Sequence, residues 1–455
     1  MSRHTDTIAA LATPAGTAAI AVLRVSGPDT AALAAELGGG APRPRVARHT
    51  DYRTRGGEVL DDVLLTYFAA PRSYTGEDSL EISCHGNPFI AQKVIEDLFA
   101  RGCRPAEPGE FTQRAFLNGK MDLSQAEAVM DLIHARSDRA LAAANRQLRG
   151  GLALRMETLI DGLLNVLARI EAYIDFPDED LPTENQMMIH HDISVIILTT
   201  NRLLDTYHFG SILRDGIKTV IIGAPNAGKS SLLNRLVGKE RALVSAEPGT
   251  TRDFIEERIL VGPHCVRLTD TAGLNASPAP LEQRGIEKTL ERAAEADLFL
   301  VVIDASAPPS APLPLPADLS VKMNAQNTLL VHNKVDLVSE ASRSAPTGVW
   351  SGGGIPVSAL TGFGLEALRD AIAAKADAFA SNPDDLITIN ARHAQALREA
   401  RDLLNSAAAK LSDDEPVELV ASDLRGALAA FGEISGRVDN ERMLDRLFAT
   451  FCIGK

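Results

Sequence analysis

The chain has 455 residues, 45% of them apolar and 23% charged, with a net charge of −14 at pH 7. That length exceeds one ordinary hydrophobic core and predicts two to four domains. The acidic balance excludes a protein that holds polyanions by bulk attraction, so a nucleic-acid partner would need a local basic patch.

Residues 1–120 read as a small α+β domain. A strand over 18–25 ends at the Ser26-Gly27-Pro28 turn, and an alanine-rich helix follows over 29–37. Glycine and proline mark 38–44 as a loop. Further strands are predicted over 63–68 and 80–84, and an amphipathic helix over 90–100. Two turns, 108–112 and 116–120, bracket a short helix and close the domain. Arg24, Glu81 and Lys120 place charge inside or at the ends of these apolar segments. The ordinary role of each is a solvated edge residue; the alternative is contact with a ligand.

From Asp122 the spacing becomes helical: Leu123, Ala126, Val129, Met130 and Ile133, then Leu152 through Ile170, then a series from Ile193 to Leu204. Helices resume from about Arg392 to Phe451. Either half alone has few helices to cover its apolar stripes. The simplest architecture is therefore one helical bundle (121–215 and 378–455) interrupted by an inserted domain over 216–377. The four cysteines, Cys84, Cys103, Cys265 and Cys452, form no CxxC pair, which argues against a zinc site or a disulfide framework. With no signal-peptide pattern and no apolar run of membrane-span length, the expectation is a cytoplasmic protein that makes no membrane contact.

Within the insert, the β-branched run Thr219-Val220-Ile221-Ile222 leads into Gly223-Ala224-Pro225-Asn226-Ala227-Gly228-Lys229-Ser230. Ser231-Leu232-Leu233-Asn234-Arg235-Leu236 then takes helical spacing. Strand, glycine loop and helix together make G-x-x-x-x-G-K-S a phosphate-binding loop. Glycines let backbone N–H groups close around a polyphosphate, and the helix N-terminus adds its positive dipole end. Lys229 can reach the β/γ-phosphates, and the Ser230 hydroxyl can ligate Mg²⁺.

Four more motifs follow in order: Gly249-Thr250-Thr251-Arg252-Asp253, Asp270-Thr271-Ala272-Gly273, Asn333-Lys334-Val335-Asp336 and Ser358-Ala359-Leu360. Asp270 can hold Mg²⁺ through water, and the Gly273 amide can meet the γ-phosphate. A carboxylate at Asp336 accepts two hydrogen bonds from guanine that adenine cannot offer. Ser358-Ala359 would supply a backbone amide to the guanine oxygen. Strands alternating with helices predict a doubly wound, mostly parallel sheet. The order and spacing predict a Ras-like GTP-binding domain.

Leu274 stands where small signalling GTPases place a water-orienting glutamine. Another polar group must orient water; the candidates are the 275–280 stretch and Glu282. Asn226 is either a turn residue or a ligand for a monovalent cation beside the phosphates.

With these residues in view, the chain resembles the MnmE (TrmE) family of tRNA-modifying GTPases over essentially its full length. The resemblance rests on Asp6-Thr7-Ile8-Ala9, Leu23-Arg24-Val25-Ser26-Gly27, Tyr74-Thr75-Gly76-Glu77-Asp78 and Pro108-Gly109-Glu110-Phe111-Thr112. It rests further on Arg114-Ala115-Phe116-Leu117-Asn118, Gln125-Ala126-Glu127-Ala128, Ile174-Asp175-Phe176-Pro177, the nucleotide motifs and the C-terminal Phe451-Cys452-Ile453-Gly454-Lys455.

It implies an N-terminal folate-binding domain that also forms a homodimer, a helical domain and an inserted G domain. It implies a heterotetramer with the FAD-dependent protein MnmG (GidA), a tRNA substrate, and an aminomethyl-type group placed on C5 of the wobble uridine. The cofactors it implies are GTP, Mg²⁺, K⁺ and 5,10-methylenetetrahydrofolate or 5-formyltetrahydrofolate. Arg24, Glu81, Lys120 and Lys455 then match folate contacts. Asn226, Ser245, Glu247 and Thr250 match K⁺ ligands, and Ser230 and Thr251 match Mg²⁺ ligands. Glu282 matches the catalytic glutamate, and Cys452 a cysteine with a proposed chemical role.

The Ser245-Ala246-Glu247-Pro248 loop departs from the family, which more often has an apolar residue at 247, and Pro248 stiffens it. The competing function is a GTP-dependent RNA-binding assembly or regulatory factor, which would have no use for a folate pocket.

Overall fold

The computed structural model describes residues 6–175, 183–238, 256–270, 295–307, 321–338, 353–379, 387–413, 415–436 and the positions 448, 451 and 454. Its contacts divide the chain into two compact units. One is Met1–Met130, Leu148–Leu181 and Ala409–Lys455; the other is Asp131–Gln147 and Pro182–Ala408.

In the first unit, six strands build one sheet: β1 (Ile8–Leu11), β2 (Ile20–Ser26), β3 (Ala47–Arg53), β4 (Val59–Phe68), β5 (Ser79–His85) and β6 (Arg104–Pro105), in the order β3-β4-β5-β2-β1-β6. All neighbours are antiparallel except β1 and β6. Helices α1 (Thr30–Gly38) and α2 (Pro88–Ala100) cover the sheet, burying Leu33, Leu37, Val94 and Leu98 against Leu23, Val25, Leu80 and Ile82. Asn87 starts α2 by accepting the Phe89 amide at 2.9 Å, with Pro88 at the first helical position, where no N–H is needed. Helix α3 spans Glu110–Leu117. It therefore absorbs residues expected in the two bracketing turns, because Gly109 can adopt φ +70° and lets the helix begin directly after it.

Among the described residues, four helices of the helical region precede the insert: α4 (Leu123–His134), α5 (Asp138–Leu148), α6 (Gly151–Asp175) and α7 (Thr183–Asp215). Two more, α10 (Ala391–Ser412) and α11 (Val417–Ser435), follow the insert. Helices from before and after the insert do pack in pairs. α6 lies on α11 in the first unit, and Arg398 of α10 stacks on Tyr207 of α7 at 5.5 Å in the second. Each compact unit thus contains helices from both sides of the insert.

The inserted sheet has the order β12-β11-β10-β7-β9-β8. Its strands are β7 (Ile217–Gly223), β8 (Glu256–Val261), β9 (His264–Asp270), β10 (Leu298–Asp304), β11 (Thr328–Asn333) and β12 (Ile355–Pro356). Only β8 runs antiparallel to its neighbour. Helices α8 (Lys229–Val237) and α9 (Leu365–Ala378) bury Leu232, Leu236, Leu368 and Ile372 with Ile221, Leu300 and Val302. Central strands covered by helices explain the continuous apolar runs in the sequence. The topology puts the carboxyl ends of β7, β10 and β11 side by side, the place where open parallel sheets hold ligands.

Candidate nucleotide and N-terminal sites

The phosphate loop leaves the carboxyl end of β7. A Cβ on Gly223 would stand 2.3 Å from the Val302 carbonyl, so only glycine lets β7 end this close to β10. Asn226 and Gly228 take left-handed backbones, φ +62° and +90°. That geometry turns the loop onto the first turn of α8. Lys229 Nζ lies over the loop, 3.0 Å from both the Gly223 and the Ala224 carbonyl oxygens. Ser230 and Ser231 are exposed in the first turn of α8, and the Asn226 side chain is exposed at the loop's rim. A hydroxyl and a carboxamide are hard oxygen donors, so Ser230 and Asn226 fit Mg²⁺ and K⁺ chemically.

Asn333, at the end of β11, is almost wholly buried. Its Nδ2 donates to the Ala227 carbonyl at 2.9 Å, and its Oδ1 accepts the Ala359 amide at 3.0 Å. One side chain thus fastens the phosphate loop to the 358–360 loop. The Cβ that Gly228 lacks would collide with Asn333 Nδ2 at 2.2 Å. The Ala359 N–H expected to face the guanine oxygen is engaged by Asn333 in this structure.

Lys334 has φ +64°, and its Nζ pairs with Asp304 Oδ2 at 2.6 Å, which lays its stem across the end of β10. Burial works against the Asp304 carboxylate, but hydrogen bonds from Lys334 and Ser306 outweigh it and hold its pKa below the ordinary aspartate value. Asp304 was missed from the sequence; its only signal is an acid ending an apolar strand beside the lysine of Asn-Lys-x-Asp. Asp336 is half-buried, with the Ser358 hydroxyl donating to its Oδ1 at 2.5 Å. The sites 227–229, 333–336 and 358–359 therefore converge. Leu360 is exposed beside them.

Ser245, Ala246, Glu247, Pro248, Gly249, Thr250, Thr251, Thr271, Ala272, Gly273 and Glu282 lie outside the described residues. Asp270 is placed only as the last residue of β9.

The N-terminal candidates form their own cluster. Arg24 on β2 sits directly opposite Glu81 on β5, and Arg24 Nη2 meets Glu81 Oε1 at 2.9 Å. Arg24 also stacks on Tyr74 at 5.4 Å and Phe111 at 5.8 Å, and donates to the Gly454 carbonyl at 3.4 Å. Gly454, φ +94°, approaches so closely that a Cβ would stand 2.4 Å from the Leu11 carbonyl. The C-terminal end of the chain therefore reaches the N-terminal sheet. Phe448 and Phe451 anchor it against Leu123 and Ala126. Lys120 lies along the 71–76 loop, its Nζ 3.0 Å from the Pro71 carbonyl and its stem against Gly76. Cys452 and Lys455 lie outside the described residues.

Beneath this cluster is a charge network that sequence reading missed. Arg114 is fully buried and pairs with Asp6 at 2.8 Å, Glu77 at 3.1 Å and Glu110 at 2.9 Å, and Arg104 joins Asp6 and Glu110. The three acids come from three separate motifs, so one guanidinium holds together the segments that carry the resemblance. Burial disfavours the Glu110 carboxylate, but hydrogen bonds from Arg104, the Glu107 amide and Arg114 outweigh it and keep its pKa below the usual glutamate range.

A phosphate loop at the carboxyl edge of a parallel sheet, locked to an Asn-Lys-x-Asp strand end, defines a P-loop GTPase. The family model described as the MnmE helical domain matches residues 123–452, and that of the GTP-binding protein TrmE N-terminus matches 7–120. The tRNA modification GTPase MnmE of Opitutus terrae is 59% identical over 99% of this chain and 99% of its own. That of Akkermansia muciniphila is 44% identical over the same shares, and that of Chlorobium chlorochromatii 39% over 100% and 99%. The chain belongs to the MnmE family of tRNA modification GTPases.

Proposed function

We propose that this chain hydrolyses GTP to GDP and phosphate in a cycle that serves tRNA modification. It works with the FAD-dependent subunit MnmG, in a heterotetramer, on C5 of the wobble uridine (position 34) of certain tRNAs. The group added is aminomethyl or carboxymethylaminomethyl; the methylene carbon on C5 comes from a tetrahydrofolate derivative, and the nitrogen with whatever it carries comes from an amine co-substrate, ammonia or an amino acid. The observation that most strongly supports the guanine-nucleotide binding on which that cycle depends is the Asn333 clamp, which fixes the phosphate loop relative to the Asp336 and Ser358-Ala359 end. A base and a polyphosphate held at that fixed separation are selected together.

Lys229 exchanges its two carbonyl partners for phosphate oxygens. Asp336 accepts from guanine, and the hydroxyl of Ser358 orients that carboxylate. Mg²⁺ held by Ser230 and Thr251, and K⁺ held by Asn226, Ser245, Thr250 and the Glu247 backbone, would supply positive charge against the charge that develops on the leaving phosphate. Leu274 cannot orient water, so Glu282 takes that role. In the N-terminal domain, Lys120 or Lys455 suits the anionic glutamate tail of a folate, while Arg24, bonded to Glu81, stands at the same end as that carboxylate. Glu81 suits the N–H donors of its pterin.

The test is reconstitution from the purified chain, MnmG with its FAD, undermodified tRNA, GTP, Mg²⁺, K⁺, a methylenetetrahydrofolate source and an ammonium salt or glycine as the amine. Modification that needs all components is expected. Modification that proceeds equally well without GTP, or without this chain, would refute the proposal.

A further inference from the structure

Strands β8 and β9 form a hairpin set, in sequence, between the two segments that the motifs assign to the phosphates. Segment 245–251 precedes β8, and Asp270 closes β9 and opens 270–273. Six residue pairs, from Glu256–Thr269 to Val261–His264, make it a stiff element about 20 Å long. One end leads into those segments, and the other is the turn at Gly262.

The turn end is held by a joint of three side chains from distant places in the chain. His264 is buried, and its Nε2 lies 2.9 Å from Asp377 Oδ1, in the last turn of α9. The same oxygen receives Arg139 Nη2, from α5, at 2.7 Å. Burial lowers the His264 pKa, against the opposing pull of Asp377. The neutral ring therefore donates from Nε2, and Arg139 is the countercharge of the carboxylate.

A second, independent contact lies one residue on. The Cβ that Gly216 lacks would stand 3.1 Å from both the carbonyl oxygen and the Sγ of Cys265. Gly216, φ +87°, is the residue through which α7 passes into β7. The turn end of the hairpin is thus pinned where the chain enters the insert and where it leaves it.

Phosphate-contacting segments of a GTPase change their order when the γ-phosphate is lost. A stiff hairpin, paired with β7 along β9 and bonded at its far end to a helix outside the sheet, can carry that change to the helix through the bonds at that end. We propose that the β8–β9 hairpin reports the nucleotide state to the helical region, and that Arg139–Asp377–His264 is the joint through which α5 receives it. The proposal rests on the GTPase reading, and Asp377 and Arg139 act as positioning residues.

The test is hydrogen-exchange mass spectrometry on the full chain, comparing GDP with a non-hydrolysable GTP analogue. Amides of 223–230 report nucleotide contact, and amides of α5 report transmission. In the wild type both should differ between nucleotides. In Asp377→Asn the α5 difference should shrink by about 2- to 30-fold, the range spanned by coupling changes of this kind, with the 223–230 difference retained.

The swap of Arg139→Asp with Asp377→Arg should restore the α5 difference. A neutral imidazole can move its proton to Nδ1 and accept at Nε2. An α5 response that persists undiminished in Asp377→Asn would overturn the proposal, as would a wild type whose phosphate loop responds while α5 does not. A wild type whose 223–230 amides are also silent would instead contradict the GTPase reading beneath it.

Discussion

Replacing Asn333 with alanine probes the clamp directly. The side chain bridges the Ala227 carbonyl and the Ala359 amide at 2.9 and 3.0 Å, and the residue is only 1% exposed. Asn333→Ala leaves both backbone groups without their partner in a buried place. Each such orphan costs about 1–3 kcal/mol, so the pair costs roughly 2–6 kcal/mol. The two groups belong to loops that close around the nucleotide, and the helices and strands behind them keep their own packing. The loss should therefore fall on affinity rather than on global unfolding. At about 1.4 kcal/mol per decade, it amounts to a weakening of GDP binding of roughly 30-fold to 10⁴-fold. Titration calorimetry with GDP reads it, and a thermal melt of the apo chain serves as control. Binding within about threefold of wild type would show that the two loops need no bridge, and the reasoning would fail. A melt that collapses along with affinity would show that Asn333 supports the whole insert instead.

Other expectations follow from the same geometry. Asp336→Asn should shift preference from guanine to xanthine nucleotides, whose 2-oxo group suits an amide donor; competition with GTP, XTP and ATP decides, and unchanged GTP preference removes Asp336 from the base. GTP hydrolysis should run faster in K⁺ than in Na⁺ at equal ionic strength, and Asn226→Ala should erase the difference while GTP binding persists; equal rates in the two salts would exclude the cation. Arg114→Met should cost up to about 3–5 kcal/mol, because it takes the ion-pair partner from Glu77 and leaves Asp6 and the buried Glu110 to Arg104 alone. Native pKa values of Asp6 and Glu110 lie below the unfolded 3.8 and 4.5, so their contribution is present above those values and is lost as pH falls through the native ones. The wild-type melting temperature should therefore drop in acid, and that of the variant, whose Asp6 and Glu110 have lost one of two guanidinium partners, should drop less; parallel profiles would contradict the network. Deleting residues 452–455 should weaken 5-formyltetrahydrofolate binding, since Gly454 contacts Arg24; equal calorimetric affinity in the truncated and full chains would separate the tail from that site.

The phosphate loop and the order of the nucleotide motifs were readable because they are local: three to eight consecutive residues carry each motif. Other features depend on pairings that adjacent residues do not encode. β3 escaped detection because its sequence, Ala47 to Arg53, is almost wholly polar, as befits an edge strand, and its one deep anchor is Tyr52, bonded to Asp97 at 2.9 Å. Arg24 and Glu81 stood out only as charges in apolar strands. That they face one another follows from β2 lying beside β5, a neighbour relation set by the whole sheet. Arg114 entered only as the first residue of a stretch that carries the resemblance, and its partners include acids more than thirty positions away in the chain, Glu77 among them. Asn333 was legible only as a member of the Asn-Lys-x-Asp motif; that its side chain also bridges the phosphate loop and the 358–360 loop depends on the fold.

The central claim is that this chain's GTPase cycle serves the modification of tRNA. Mass spectrometry of nucleosides from the tRNA of a strain lacking the gene tests it most directly. The account predicts that the C5 side group of the wobble uridine disappears and returns when the intact gene is restored. Normally modified tRNA with accumulating ribosome precursors would contradict it and make the chain an assembly factor.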